Sequence, residues 1–275
     1  TAILAASMAL VNNDIKRAAA KHPELRLIVK DANDSASAQQ DQVRELVQQG
    51  VDLIIVSPKE STPLTEPVAE AYRKGIPVIV LDRRVNGDQY TAFIGGDNVQ
   101  IGREAGKFLV RLLGGKGNVV ELRGNDNSSP GQDRHSGFLE GIKGSSLKIV
   151  FSADCDWKRD KAQNEMNSAL ATNPVIDAVY AHNDPSAMGA STAAKNEGKG
   201  REKKIKFIGI DALPSEGIGW VKTGQLTATF EYPTCGAHAI DMALKILKGE
   251  KVPKETILPT KVFTKDNADK GGETL

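Results

Sequence analysis

The sequence predicts an α/β protein built on parallel sheets, and three observations carry that expectation. Helix-period segments alternate with short strand-like runs throughout, with short connections between them. The strand-like runs are continuous Val/Ile/Leu stretches such as Ile54-Ile55-Val56 and Val78-Ile79-Val80-Leu81, as expected where helices cover both faces of a sheet. Seven of these runs end in a short polar cluster, and in an open α/β sheet a ligand sits outside the carboxyl ends of the strands.

Taken in order, Val43, Leu46 and Val47 form one apolar stripe in a helix over 41–49, which Gly50 stops. A strand over 52–56 leads to a helix over 63–74, stopped by Gly75, and then a strand over 77–81. Residues 91–97 (TAFIGGD) are the expected first crossover to a second half, because Gly95-Gly96 permits backbone rotation. The second half repeats the pattern with helices over 98–113, 130–142, 158–171 and 184–197. Its strands are expected over 118–122, 147–151, 178–181 and 206–210.

At 275 residues the chain suits two domains with substantial cores. The formal net charge of +1, without a basic block, gives no reason to expect nucleic acid or an anionic membrane as partner. No apolar run approaches the roughly 20 residues of a membrane helix. The first residues show neither a charged n-region nor a cleavage site, so an export signal is expected to be absent from this chain. Cys155 and Cys235 read as two free thiols or as one disulfide. His22, His135, His182 and His238 have no metal-ligand spacing, and neither metal nor cofactor is expected. The glycines of LGGKGN (113–118) precede a strand, which makes them a turn and not a phosphate loop.

The run VDLIIVSPKESTPLTEPVAEAYRKGIPVIVLDRR, followed by DNVQIGREAG, GQDRHSGFLEGI, YAHNDPSAMGA and FIGIDALPSEG, resembles periplasmic sugar-binding proteins of the ribose- and galactofuranose-binding type. The likeness extends from about residue 14 to the end. It implies two doubly wound Rossmann-like domains of the type I periplasmic binding protein fold, joined by a three-crossover hinge. Their expected extents are 1–95 plus 234–259 and 96–233 plus 260–275. It also implies hinge closure on a monosaccharide, delivery to an ABC-type permease, action as a monomer, and a periplasmic or extracellular location.

Carried onto this sequence, the resemblance makes Asp82 and Arg83 ligands of sugar hydroxyls, brings Arg134 to the sugar from the second domain, and stacks Trp157 on the ring. Asn183, Asp211 and Glu231 match further polar ligands, and Ser57 a first-domain contact. The chemistry fits without the family. Carboxylates accept from hydroxyls, Arg and Asn donate, and tryptophan gives a rigid apolar surface for the C–H face. In NDP, Asp184 is read as the helix N-cap and Asn183 as the ligand contact. Three carboxylates at the site favour a neutral sugar over an acidic one.

The start of the chain departs from the family. It opens TAILAASMALVNNDIK, so the first strand is expected to be missing or atypical, with Ser7 and Met8 where an aromatic pair would stand. Two other functions are weighed. A sensor's ligand-binding domain uses the same fold, whereas a repressor would need a helix-turn-helix that has no room here. An enzyme is not expected, since no dinucleotide turn, P-loop, nucleophile elbow or metal cluster is present.

Overall fold

The computed structural model describes residues 2–6 and 9–275, with side chains from residue 12 onward. The chain divides into two compact units. The first comprises Thr1–Gly96, Asn127–Ser129 and Pro233–Leu258; the second comprises Asp97–Asp126, Pro130–Tyr232 and Pro259–Leu275.

The first unit contains β1 (Ala2–Ala6), α1 (Ala9–Ala19), β2 (Arg26–Val29), α2 (Ala36–Gln49), β3 (Leu53–Val56), α3 (Ser61–Arg73), β4 (Val78–Leu81) and β5 (Ala92–Gly96). Later in the chain, α9 (Gly236–Leu247) and β11 (Glu255–Leu258) return to it. Its sheet has the order β11-β5-β4-β3-β1-β2 with every pair parallel. Successive residues of a strand point to opposite faces, and the packing follows that rule. Leu53, Ile55, Ile79, Leu81 and Ile94 pack with Ile15 of α1 and Ala239 and Ile240 of α9. Ile54, Val56, Val78, Val80 and Phe93 pack with Val43 and Leu46 of α2 and Leu64 and Val68 of α3.

The second unit contains α4 (Asn98–Leu112), β6 (Lys116–Arg123), α5 (Ser129–Ile142), β7 (Ser146–Asp154), α6 (Arg159–Thr172), β8 (Ala178–Ala181), α7 (Asp184–Asn196), β9 (Lys206–Asp211), α8 (Gly217–Lys222) and β10 (Ala228–Glu231). It closes with β12 (Lys261–Thr264) and β13 (Glu273–Thr274). The sheet order is β13-β12-β10-β9-β8-β6-β7, parallel from β7 to β10, with β12 antiparallel to β10 and β13 antiparallel to β12. One face packs Val120, Leu122, Val179 and Phe207 against α6 and α7; the other packs Val119, Tyr180, Ile208 and Phe230 against α4 and α5. Among the described residues no helix is long and apolar enough to cross a membrane.

Each parallel series has its second strand outside its first and its third on the other side. The strand order therefore reverses between β1 and β3 in one unit and between β6 and β8 in the other. Ligands of doubly wound sheets bind at such a switch point, beyond the carboxyl ends.

Two expectations are corrected and one is borne out. A first strand is present: β1 pairs with both β2 and β3, while Ser7 and Met8 lie outside the described residues. The crossover expected over 91–97 stands where the chain leaves the first unit: Gly95 and Gly96 end β5, pairing with Ile257 and Leu258, and the second unit begins at Asp97. The strand expected over 147–151 runs on to Asp154, so Asp154 is a strand residue and the polar loop starts at Cys155.

Candidate functional site

In the first unit, Ser57 follows β3 while Asp82 and Arg83 follow β4, and all three side chains are buried. The Ser57 hydroxyl donates to Asp82 Oδ2 at 3.3 Å, and Arg83 Nε lies 3.8 Å from that same oxygen. Arg83 Nη1 donates to the Lys59 carbonyl at 3.0 Å. The turn itself is tight. Arg83 N–H donates to the Leu81 carbonyl across 2.6 Å, with Asp82 between them at φ +64°. That is the geometry of the rare γ-turn, which is a strained conformation for a residue with a side chain. Gln39 of α2, also buried, fastens the neighbouring loop: its Nε2 donates to the Ser57 carbonyl, and its Oε1 accepts from Lys59 N–H.

In the second unit, Arg134 of α5 is buried among polar partners. Its Nε donates to Asn98 Oδ1 at 2.8 Å and its Nη1 donates to the His182 carbonyl. The same Nη1 stands 3.8 Å from Asp211 Oδ1. The guanidinium carbon lies 5.4 Å from the Trp157 ring centre and 5.1 Å from that of Tyr232, within cation–π range of both. The Trp157 indole covers the backbone of Gly124. Asn183 Nδ2 donates to the Trp157 carbonyl at 3.0 Å, which ties two expected ligand residues together. Glu231 faces Asp211 in the parallel register of β9 and β10. The geometry thus gathers Arg134, Trp157, Asn183, Asp211 and Glu231 in one unit and Ser57, Asp82 and Arg83 in the other.

The cap assignment at Asn183-Asp184 is reversed. Asn183 is the N-cap of α7, its Oδ1 accepting from Ser186 N–H at 3.0 Å. Asp184 is buried beneath it, accepting from Ala212 N–H and the Thr229 hydroxyl. The Asn183 amide can serve both purposes, because its oxygen caps the helix while its nitrogen points to Trp157.

Below this set runs a buried ionic cluster. Glu121 of β6 accepts from His135 Nδ1 at 2.8 Å, His182 Nε2 at 3.2 Å and the Ser152 hydroxyl at 2.9 Å. Burial opposes ionisation of Glu121, but the hydrogen bonds of the two histidines outweigh it and hold its carboxyl down to about 2. His135 is raised by its bond to Glu121, against burial. His182 is lowered, because complete burial outweighs the same carboxylate. Cys155 and Cys235 are both free and buried; burial pushes the Cys155 thiol up to about 12, leaving it protonated and inert. Among the described residues no group of three or more His, Cys, Asp or Glu side chains is arranged to hold a metal ion.

Sequence reasoning passed over Gln39, Lys59, Asn98, Gly124 and Tyr232, and took Asp184 for a helix cap. A structural signal that no sequence pattern displays marks several of the same loops. Seven non-glycine residues among those described have positive φ: Asn33, Asp34, Asp82, Asp156, Trp157, Asp211 and Ala212. All lie at or beyond the carboxyl end of a strand, namely β2, β4, β7 and β9. Strain of this kind persists only where the surroundings over-determine it, and it collects at ligand sites.

Comparison with known proteins places these features in a family. The sequence model of a periplasmic binding protein domain matches residues 7–251. The chain is 33% identical over 247 residues to the ribose import binding protein of Bacillus subtilis (strain 168), covering 89% of this chain and 79% of that protein. It is 31% identical over 265 residues to the galactofuranose-binding protein of Escherichia coli (strain K12), covering 93% and 83%. Among solved structures, the fructose binding periplasmic domain of a hybrid two component system superposes with a TM-score of 0.94 at 42% identity, covering 98% of this chain and 92% of that one. All three are binding proteins, in keeping with a chain that is not an enzyme.

Proposed function

The chain belongs to the periplasmic binding protein family, and on that premise we propose that it captures a monosaccharide outside the cytoplasmic membrane and delivers it, as a monomer, to the permease of an ABC-type importer. The observation that carries this reading is the pair of polar sets at the carboxyl ends of the two sheets, where carboxylate, guanidinium, amide and indole groups are held by buried partners. The ligands are Ser57, Asp82 and Arg83 from one lobe, 1–95 plus 234–259, and Arg134, Trp157, Asn183, Asp211 and Glu231 from the other, 96–233 plus 260–275. Charged partners make the stronger bonds to hydroxyls, and Trp157 offers the apolar face that a sugar ring needs. A sugar that bonds to both sets binds the hinge-closed form more tightly than the open one, and that differential affinity is what drives closure. Asp82, Asp211 and Glu231 together favour a neutral sugar; tight binding of a uronic acid would sink that part of the reading.

The test is a thermal-shift screen against pentoses, hexoses, furanoses and polyols. A sugar present at about a thousand times its dissociation constant adds roughly 4 kcal/mol of stability. One sugar is expected to raise the melting temperature clearly, and Asp82→Ala to abolish the rise while the free variant still folds. No shift from any member of the screen would overturn the reading.

The likeness at 42% identity to a periplasmic sensor domain favours a second reading, in which the same module reports a sugar to a receptor. The coding sequence flanking these residues separates the two, since a kinase or a membrane segment in the same reading frame supports the sensor.

A further inference from the structure

We infer that Asp184 is a positioning residue, holding the Asp211–Ala212 turn in the strained conformation that presents the Asp211 carboxylate to the sugar. This rests on the reading of Asp211 as a sugar ligand. Asp184 opens α7 directly after Asn183 and is 1% exposed. Its Oδ2 accepts from Ala212 N–H at 2.8 Å, and the Thr229 hydroxyl of β10 lies 2.7 Å from Oδ1 and 2.9 Å from Oδ2. The bonded amide belongs to the strained pair, with Asp211 at φ +124° and Ala212 at φ +54°. A residue with a side chain keeps such angles only when its surroundings impose them. The bond from Ala212 to a fixed, buried carboxyl is the constraint on Ala212, while Tyr232 N–H holds the Asp211 carbonyl at 3.4 Å.

The carboxyl has no freedom to move. A Cβ added to Gly209 would lie 2.3 Å from Oδ1, and one added to Gly217 would lie 1.9 Å from Oδ2. Two glycines, one in β9 and one opening α8, thus leave a socket that fits this side chain. Asp184 therefore links α7, β9, β10 and α8 at the turn that carries Asp211. The charges near it are Asp211 and Glu216, and Arg134 answers Asp211 from α5. Burial and the Asp211 charge push the Asp184 carboxyl well above the usual carboxylate range, against the bonds from Thr229 and Ala212. A protonated Asp184 adds no charge beside Asp211, so asparagine is its nearest mimic: the amide oxygen can accept from Ala212 N–H while the amide nitrogen donates to Thr229 Oγ1.

The experiment compares the wild type with Asp184→Asn, Asp184→Ala, Asp211→Ala and the double alanine variant. D-fructose and D-ribose serve as probes in calorimetric titrations from pH 5 to 8. Amide exchange over residues 209–216 is followed in the free proteins. Asp184→Ala is expected to weaken sugar binding by about tenfold or more through lost preorganisation and to speed exchange at Ala212 more than in the rest of β9. Asp184→Asn should restore both, and should keep its affinity flat with pH. In the double variant the two losses should fail to add, because both act through Asp211. Wild-type affinity in Asp184→Ala alongside a loss in Asp211→Ala would overturn the inference and leave the site intact. Wild-type affinity in Asp211→Ala would instead remove the site reading on which it rests. Uniform acceleration of exchange through α7 and β10 would reduce Asp184 to a general core residue and overturn it as well.

Discussion

Gly124 and Trp157 illustrate how an absent side chain positions a present one. A Cβ on Gly124 would lie 2.2 Å from the nearest indole carbon, far inside contact distance, so Gly124→Ala must push the ring off its seat. Aromatic packing of this kind contributes roughly 0.5–1.5 kcal/mol beyond area, so sugar affinity is expected to fall about two- to twelvefold. In a Trp220→Phe background, where Trp157 is the remaining tryptophan, its emission should shift with the displaced ring. Unchanged affinity with a shifted emission would show that the indole does not face the sugar. Trp157 was visible in the sequence because its type is diagnostic, and Gly124 was not because a close approach leaves no local trace. The Asn183-Asp184 reversal has a similar origin. Both residues can cap a helix, and the difference lies in the extended backbone of Asn183 (φ −149°, ψ 164°) and in the distant glycine socket around Asp184.

Arg134 is placed by the way α4 and α5 cross. Gly102 and Gly106 of α4 face Gly137 and Gly141 of α5, and the backbones meet there. A Cβ on Gly137 would lie 2.1 Å from the Val99 carbonyl oxygen, and one on Gly141 2.2 Å from that of Arg103. Backbone atoms cannot yield as a flexible side chain can, so Gly137→Ala should force the helices apart. Overpacking of this kind costs about 1–3 kcal/mol, which in thermal unfolding appears as a drop of several degrees. Because Arg134 lies one turn before Gly137, weaker sugar binding should accompany the drop; an unchanged melting temperature would mean that the crossing is not tight. Of the elements, the buried strands β3, β4 and β8 were legible as apolar runs, since both of their faces are covered. Strands β2, β11 and β13 were not. They lie at or near sheet edges and bury little, so the apolar signal that identifies a strand is thin in them.

The order of strands within each sheet is a property of the whole chain, set by pairings between distant segments, and local periodicity does not contain it. The Glu121 cluster is another product of that order, because β6, β7, α5 and the residue after β8 each contribute to it. It should govern how stability varies with pH. The Glu121 carboxyl is depressed to about 2, so between there and the unfolded value near 4.5 the unfolded chain binds more protons. Stability from this group is complete above that window and is lost as pH falls through it. His182, lowered by burial, adds to the loss on the acid side, beginning below its ordinary value of 6.5, because the unfolded chain protonates it more readily. His135 works in the opposite sense. Its raised value gives stability that is complete below 6.5 and lost as pH rises through the folded value. Asp184 likewise gives its largest contribution in acid and loses it as pH rises above the usual carboxylate range. Glu121→Gln removes the common partner of both histidines. Hydrogen bonds to a charged group are worth about 1.5–3 kcal/mol, so the variant should unfold at lower urea near pH 7. Its curve of stability against pH should be flatter between pH 5 and 3, and the His135 resonance should titrate closer to an ordinary histidine. A variant that keeps the acid limb of the wild type would show that acid unfolding starts elsewhere, and the cluster would then have no part in the pH response.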